Sequence, residues 1–143
     1  MPTRFYLPSS GAPDISPAFA AGWNDTSIGS RLRCVTTKSS TAMTTVSFTD
    51  ADETNEDILY RQYISDPLND QTIAAQTVKW QIRAAEALAL GNLFTSIGIR
   101  VVSRDGTTVR GTMLAITRDN TEVPLLGSAT NRQFSATTTE VIA

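Results

Sequence analysis

The clearest pattern in the chain is an alternation of apolar and polar residues over residues 77–83. The apolar positions are Val78, Trp80 and Ile82, with polar residues between and beside them. Successive side chains of a β-strand point to opposite faces, so this period of two predicts a strand with one buried face. We therefore place Trp80 in the core, although an exposed tryptophan could also stack on a sugar ring.

Other segments share this extended character, being rich in β-branched and aromatic residues and bounded by turn-forming ones. The predicted strands are residues 4–7, 31–36, 42–48, 58–64, 77–83, 92–103, 107–117 and 133–143. Asp105 and Gly106 separate two of these segments and predict a tight hairpin, because this pair favours short β-turns. Cys34 lies within a predicted strand, where we expect a small buried side chain rather than a reactive thiol.

Residues 83–90 admit two interpretations. They are mostly good helix formers, alanine and leucine above all, and Gly91 follows them as a C-cap would. A short helix is therefore one alternative. We favour continuation of the preceding strand through about residue 86, followed by a loop.

Short strands separated by turns, without alternating helices, are typical of a two-sheet antiparallel β-sandwich. The sequence therefore predicts an all-β fold of that architecture, of which the jelly-roll is one form. Residues 1–30 differ, because Pro2, Pro8, Pro13 and Pro17 fix backbone angles and remove hydrogen-bond donors. We predict a strand and an extended Pro/Gly-rich arm over residues 1–30, and a β-sandwich domain over residues 31–143, within a single domain overall.

The amino-acid composition bears mainly on the surface of the predicted domain. About a quarter of the 143 residues are Ser or Thr and only 18% are charged, whereas an average soluble domain has roughly 25% charged residues. Hydroxyl groups are less costly to desolvate than charges, so they suit a surface that contacts a partner. Alternatively, threonine is frequent because it favours strands. The net charge of −2 and the scattered arginines argue against a nucleic-acid partner.

The available residue types exclude most catalytic chemistry. With no histidine and one cysteine, the chain cannot form a Ser–His pair, a Cys–His pair or its own zinc site. One loop could offer oxygens to a hard cation, through Asp50, Asp52, Glu53, Glu56 and Asp57. The spacing of these residues does not fit an EF-hand. Because the carboxylates are clustered in one loop, they cannot be assigned as the acid and the nucleophile of a glycosidase, so a solvated loop is favoured. We expect no enzyme activity, catalytic residue, metal or cofactor, with a small hydrolase as the weakest alternative.

The chain also lacks obvious targeting signals. Its first residues do not contain the apolar core of about 7–15 residues that a secretory signal needs. No run approaches the roughly 20 apolar residues of a membrane-spanning helix. We therefore expect a protein that is made in the cytoplasm and has no membrane partner.

Several stretches of the chain resemble a group of structural proteins from tailed bacteriophages. They are FYLPSSG at 5–11, SPAF at 16–19 with Trp23, RQYISDP at 61–67, QTVKWQIR at 76–83 and RVVSRDGTTVRGT at 100–112. The resemblance covers most of residues 4–116 and carries no catalytic residue with it. It implies a non-enzymatic virion protein that is made in the host cytoplasm.

Within that group, the resemblance and the extended arm together favour a capsid cement, or decoration, protein. It would bind the major capsid protein or other virion proteins as a homo-oligomer, with a trimer favoured. The expected contact residues are Phe5, Tyr6, Phe19 and Trp23. The alternative is a tail or fibre module that recognises a host surface glycan. The Thr-rich end departs from the group's pattern, so a last strand is either supplied by a neighbouring subunit or missing from this chain.

Overall fold

A computed structural model of the protein describes residues 3–41, 45–49, 54–88 and 90–143. Throughout these ranges the chain forms strands, turns and irregular segments and no helix, which confirms the predicted all-β class. The strands are β1 (Ser30–Arg33), β2 (Arg61–Ile64), β3 (Thr72–Ile73), β4 (Thr77–Ala84), β5 (Ser96–Val102), β6 (Val109–Arg118), β7 (Thr130–Thr137) and β8 (Val141–Ile142).

These strands pair as two-stranded sheets over the described part of the chain. β1 pairs with β2 in parallel, and the antiparallel pairs are β3 with β8, β4 with β7 and β5 with β6. Each strand thus has a single hydrogen-bonded strand neighbour. The two larger sheets of a sandwich are not present as continuous sheets, and the sandwich and jelly-roll architectures stay predictions.

The chain divides into two compact units. The first comprises Met1–Asn69 and Arg104–Thr108, and the second comprises Asp70–Ser103 and Val109–Ala143. The predicted boundary at residue 30 is a different kind of division, between an arm and a sandwich, and it stays a prediction.

The first unit is organised around the parallel pair of β1 and β2. Cys34 and Leu59 are its buried hydrophobic residues within the described ranges. The N-terminal segment is bonded to residues near these strands: Tyr6 forms an antiparallel bridge with Val35, and Asp25 forms a parallel bridge with Ile58. These contacts explain how a proline-rich segment with few strand hydrogen bonds of its own is held in place.

Two predicted strands of the first unit differ from the structure. Residues 4–7 form no strand, and only the bridge at Tyr6 represents the predicted pairing there. Of the predicted strand at 42–48, residues 42–44 lie outside the described residues, and residues 45–48 are not in a strand. Alternation of apolar and polar residues favours a strand, but a strand forms only where another strand supplies hydrogen bonds.

The second unit contains the two longest ribbons of the described chain. β4 follows the predicted alternation closely, since Val78, Trp80 and Ile82 are partly buried and the residues between them are exposed. Trp80 pairs with Phe134 of β7, and their ring centroids are 4.5 Å apart. The strands on either side of Asp105 and Gly106 pair as predicted, but the tight turn is wrong: the connection spans six residues, 103–108, with φ of 76° at Gly106.

A β-bulge shapes the centre of β6. Ile99 pairs with Leu114 and Arg100 with Thr112, which leaves Met113 as an extra residue in the ladder. The Met113 carbonyl accepts a hydrogen bond from the Thr139 N–H at 2.8 Å instead. This contact brings the segment before β8 against β6, where Met113, Leu114 and Val141 are buried.

The segment after β4 follows the strand-then-loop interpretation more closely than the helical one. β4 ends at Ala84, and residues 85–88 and 90 form a bridge, bends and a turn. Glu86 forms a parallel bridge with Leu125, so its backbone groups bond to a distant loop. A helix would need the same N–H and C=O groups for bonds within the segment, so the distant pairing excludes it.

Candidate functional site

The four predicted contact residues all lie in the first unit, in different surroundings. Phe5 is exposed, whereas Tyr6, Phe19 and Trp23 are partly buried. Tyr6 is held by two backbone hydrogen bonds with Val35, of 2.7 and 3.1 Å. The guanidinium of Arg31 lies 4.0 Å from the centre of the Phe19 ring, a cation–π contact within the unit. Tyr6 and Phe19 therefore already have partners in their own chain, and Phe5 is the most available of the four.

The acidic loop offers little that could be a metal site in the described residues. Asp50, Asp52 and Glu53 lie outside them. The backbone of Asp57 is paired with Asn24, whose side-chain oxygen accepts from the Asp57 N–H at 2.8 Å. In the ranges that the structure covers, no three His, Cys, Asp or Glu side chains are grouped so as to hold a metal ion.

Cys34 is buried, as the sequence predicts, with 7% of its surface exposed. Burial raises the pKa of its thiol, because the thiolate would lose its hydration. Since the thiolate is the nucleophilic form, a buried thiol with a raised pKa is a poor nucleophile. Cys34 therefore acts as a small apolar side chain of the first unit.

A shallow, open groove of about 270 Å³ lies in the second unit, lined by Glu86, Glu122, Val123, Pro124 and Leu125. Glu86 ties its two sides together. The Glu86 N–H donates to the Pro124 carbonyl at 3.0 Å, and the Glu86 carbonyl accepts from the Leu126 N–H at 2.8 Å. The carboxylate itself is buried and accepts from the Leu93 N–H at 3.1 Å. Glu86 is thus used to fix the loops and is not available as a free acid in the groove.

A buried ion pair stabilises one end of the groove. Arg132 of β7 contacts Asp119, which follows β6, with 2.6 Å between Nη2 and Oδ2. The Thr121 N–H also donates to Asp119 at 3.1 Å. Burial opposes ionisation of Asp119, but the hydrogen bond from Thr121 and the contact with Arg132 outweigh it, so the pKa of Asp119 lies below its ordinary value. The pair connects the ends of two different ribbons.

Four leucines on the two loops that Glu86 joins are exposed, and we call them the leucine surface. They are Leu88, with 75% of its surface exposed, Leu90 with 90%, Leu125 with 45% and Leu126 with 64%. Single exposed leucines are ordinary, so it is their number on two hydrogen-bonded loops that sets this part of the chain apart. Sequence reasoning missed this surface, because it assigned residues 83–90 only as strand, loop or helix.

The described part of the chain contains no helix that is long and apolar enough to cross a membrane. No protein-family model, curated protein or solved structure matches the chain. Function is therefore argued from the residues and geometry described above.

Proposed function

We propose that this protein is a non-enzymatic structural protein of a bacteriophage virion, and that it acts as a capsid decoration protein. In this proposal it is a homo-oligomer, with a trimer as the favoured symmetry. It binds the major capsid protein or other virion proteins and stabilises the shell through contacts between subunits. The resemblance of residues 5–11, 16–19 with Trp23, 61–67, 76–83 and 100–112 to phage structural proteins supplies the setting, and the exposed apolar side chains supply the physical argument.

The observation that carries the proposal is a small core together with many exposed apolar side chains. Within the described ranges, the buried hydrophobic residues are Cys34, Leu59, Met113, Leu114, Val123 and Val141. Ten large hydrophobic residues in the same ranges are exposed, the four of the leucine surface among them. Burial of apolar surface is the main source of folding stability, so a chain with this distribution gains much from contacts with neighbours.

The surface area of the chain gives this argument a scale. The isolated chain exposes 10167 Å². A monomeric protein of this length exposes about 7,200 Å², and two separate domains of half its length expose about 8,700 Å². The chain therefore exposes about 1,500 Å² more than even the larger of these values.

The open strand edges support the same proposal. Each described strand has one strand neighbour, and the second edges of β1 and β6 are already used in part, by Gly11 and by Thr139. We propose that other second edges accept a strand from another subunit. A two-stranded ribbon is only marginally stable in water by itself. We propose that added strands extend these ribbons in the assembled particle, and that the predicted two-sheet sandwich is the form they then take.

Hydroxyl groups on exposed faces suit such contacts. Thr77 on β4 and Thr130, Ser135 and Thr137 on β7 are exposed and belong to one ribbon. Hydroxyl groups cost less to cover than charges do, but this face also carries the exposed cations Lys79 and Arg83. A partner that covers it therefore has to supply acceptors for these two side chains.

The test is the copy number of the protein in purified virions of the phage that encodes it. Quantitative mass spectrometry with labelled peptides would compare this chain with the major capsid protein and with a tail-tube protein as internal standards. We expect hundreds of copies per particle, in a fixed ratio to the capsid protein. A handful of copies would place the protein on the tail, where the glycan-binding alternative applies, and absence from the particle would overturn the proposal.

A second measurement tests the stabilising role. Particles assembled without the protein should lose DNA at a lower temperature than complete particles, and adding the purified protein back should restore the difference. Equal heat resistance with and without the protein would exclude a cement role even for an abundant virion component.

A further inference from the structure

We propose that the open edge of β4 binds an extended acidic segment of another virion protein. The segment adds to β4 as an antiparallel strand and carries two carboxylates four residues apart. This inference rests on the proposed function, because it names the chemistry of one strand that the ribbons accept. The occupant is a partner of opposite charge rather than the β4 strand of a second copy.

The backbone of β4 has unused hydrogen-bonding groups along one edge. Residues 77–84 pair with residues 130–137 in an unbroken antiparallel register. One position before this ladder, the Thr138 N–H donates to the carbonyl of Gln76, its opposite residue, at 2.9 Å. Backbone groups of successive residues in such a pair point alternately toward the partner strand and away from it. The groups that point away from β7 therefore belong to residues 77, 79, 81 and 83.

The same four residues form the polar face of the ribbon, together with the β7 residues opposite them. Side chains of directly opposite residues lie on one face. The eight residues of this face are exposed; they are Thr77, Lys79, Gln81, Arg83, Asn131, Gln133, Ser135 and Thr137. Two of them are cations and none is an acid. Within the described residues neither Lys79 nor Arg83 forms an ion pair, so both can bind the carboxylates of a partner.

The positions of the two cations specify the spacing of the carboxylates. In an antiparallel ladder on the open edge, the residues opposite Lys79 and Arg83 lie on the same face as these side chains, with Cα atoms about 5.5 Å away. The two cations are four residues apart, which is about 13 Å along the strand. Two acidic residues four positions apart in the added strand therefore pair with both cations at once.

The opposite face of the ribbon specifies the residues between the carboxylates. Val78, Trp80 and Ile82 of β4 are only partly buried. Apolar residues at alternate positions of the added strand would lie beside them and extend this apolar face. The expected segment therefore alternates apolar residues with polar ones, among which are the two acids.

The same charges disfavour pairing of two β4 strands along this edge. Lys79 and Arg83 of both copies would then lie on one face without a carboxylate among them. Like charges at facing positions destabilise a sheet. Cations beside an open edge therefore discourage pairing with a strand of the same charge and favour a strand of opposite charge.

The test measures peptide binding to the full chain. The probe is the labelled peptide Thr-Val-Glu-Val-Thr-Val-Glu-Thr, and its control has lysine in place of both glutamates. Fluorescence anisotropy at low ionic strength should show binding of the acidic peptide, with the lysine peptide weaker by at least about 10-fold. Lys79→Gln/Arg83→Gln should weaken the acidic peptide about 10-fold. The matched variant Lys38→Gln/Arg110→Gln, which removes two exposed cations elsewhere, should bind it as the wild type does.

Hydrogen exchange decides whether the peptide adds as a strand. With the acidic peptide bound, the amide protons of residues 79, 81 and 83 should exchange more slowly, in proportion to the fraction of chain that is occupied. Methyl groups on the two glutamate nitrogens of the peptide should abolish binding, because these nitrogens would donate to β4. Methyl groups on the nitrogens of the flanking valines, which face away from β4, should be tolerated.

Three results would overturn the inference. They are no binding of the acidic peptide, equal binding of the acidic and the lysine peptide, and binding that leaves the exchange at residues 79, 81 and 83 unchanged. The last result would indicate a contact through charge alone, of the kind that an acidic glycan could also make.

Copy number in the virion separates this inference from the proposed function. A protein that is abundant on particles but does not bind the acidic peptide would disprove only the strand addition at β4. A protein that binds the peptide as a strand but is absent from particles would disprove only the virion role.

Discussion

Gly111 of β6 lies where only a glycine fits, and replacing it with alanine should destabilise the second unit. A Cβ atom at this position would lie 2.6 Å from one methyl group of Val141 and 3.0 Å from the other. Both distances are far below van der Waals contact. Because both methyl groups are too close, rotating the valine side chain does not relieve the overlap, and β6 or β8 has to move.

The expected loss follows from two opposing effects. Overpacking a core position costs about 1–3 kcal/mol. Replacing glycine with alanine at a permitted backbone conformation restricts the unfolded chain and stabilises by about 0.4–1 kcal/mol. The net expectation for Gly111→Ala is a loss of about 1–2 kcal/mol in the free energy of unfolding, which corresponds to a urea midpoint lower by about 1 M.

The assay uses the two tryptophans, which lie in different units. In a Trp23→Phe background, Trp80 is the single tryptophan and reports on the unfolding of the second unit. The matched control is Gly127→Ala in the same unit, because a Cβ there has no atom within 4 Å. Its urea midpoint should equal that of the parent or exceed it slightly.

A double-mutant cycle with Val141→Ala decides whether the steric explanation is right. Val141→Ala alone should cost about 1–3 kcal/mol, since it leaves a space in the core. In that background Gly111→Ala should cost little, because the new methyl group occupies the space that the valine leaves. If Gly111→Ala is as damaging in the Val141→Ala background as it is beside the native valine, or if it is harmless alone, the reasoning fails.

Three further predictions concern the ion pair, the hairpin and the thiol. Asp119→Asn should lower the free energy of unfolding at pH 7 by about 1–3 kcal/mol. Because folding lowers the pKa of Asp119, its contribution to stability is present above the ordinary value of 3.8 and is lost as the pH falls through the folded pKa. The urea midpoints of the variant and the wild type should therefore converge in acid. Gly106→Ala should cost about 1–2 kcal/mol in urea unfolding, because φ is 76° there and a Cβ would lie 3.3 Å from the Pro17 backbone nitrogen; an unchanged urea midpoint would contradict this reason. Cys34 should react with Ellman's reagent slowly in the native protein and at once in urea, and fast native reaction would refute its burial.

The elements that the sequence predicted well are those that local rules determine. In β4 the period of two in residues 77–83 leaves one arrangement that buries Val78, Trp80 and Ile82 together. At residues 105–106, aspartate and glycine supply the turn geometry by themselves, and Asp105 accepts a hydrogen bond from the Thr107 N–H at 3.0 Å. Both features carry a local signal, although β4 still takes its hydrogen bonds from β7 and Gly106 packs against Pro17.

Strand pairing between distant segments could not be derived in this way. β1 pairs in parallel with β2, so that Ser30 is opposite Arg61, and nothing in either segment specifies parallel rather than antiparallel pairing. The same holds for residues 45–48, which alternate suitably but form no strand. A strand needs a partner for its backbone groups, and the partner is a property of the whole fold.

The leucine surface shows why an exposed apolar surface can be invisible to such rules. Leucine favours helices and cores, so residues 83–90 suggested a helix, a strand or a loop but no surface. The conformation of this segment is decided by hydrogen bonds from the Glu86 backbone to Pro124 and Leu126, nearly forty residues away. These bonds occupy the backbone groups of Glu86 and leave the leucine side chains exposed to solvent.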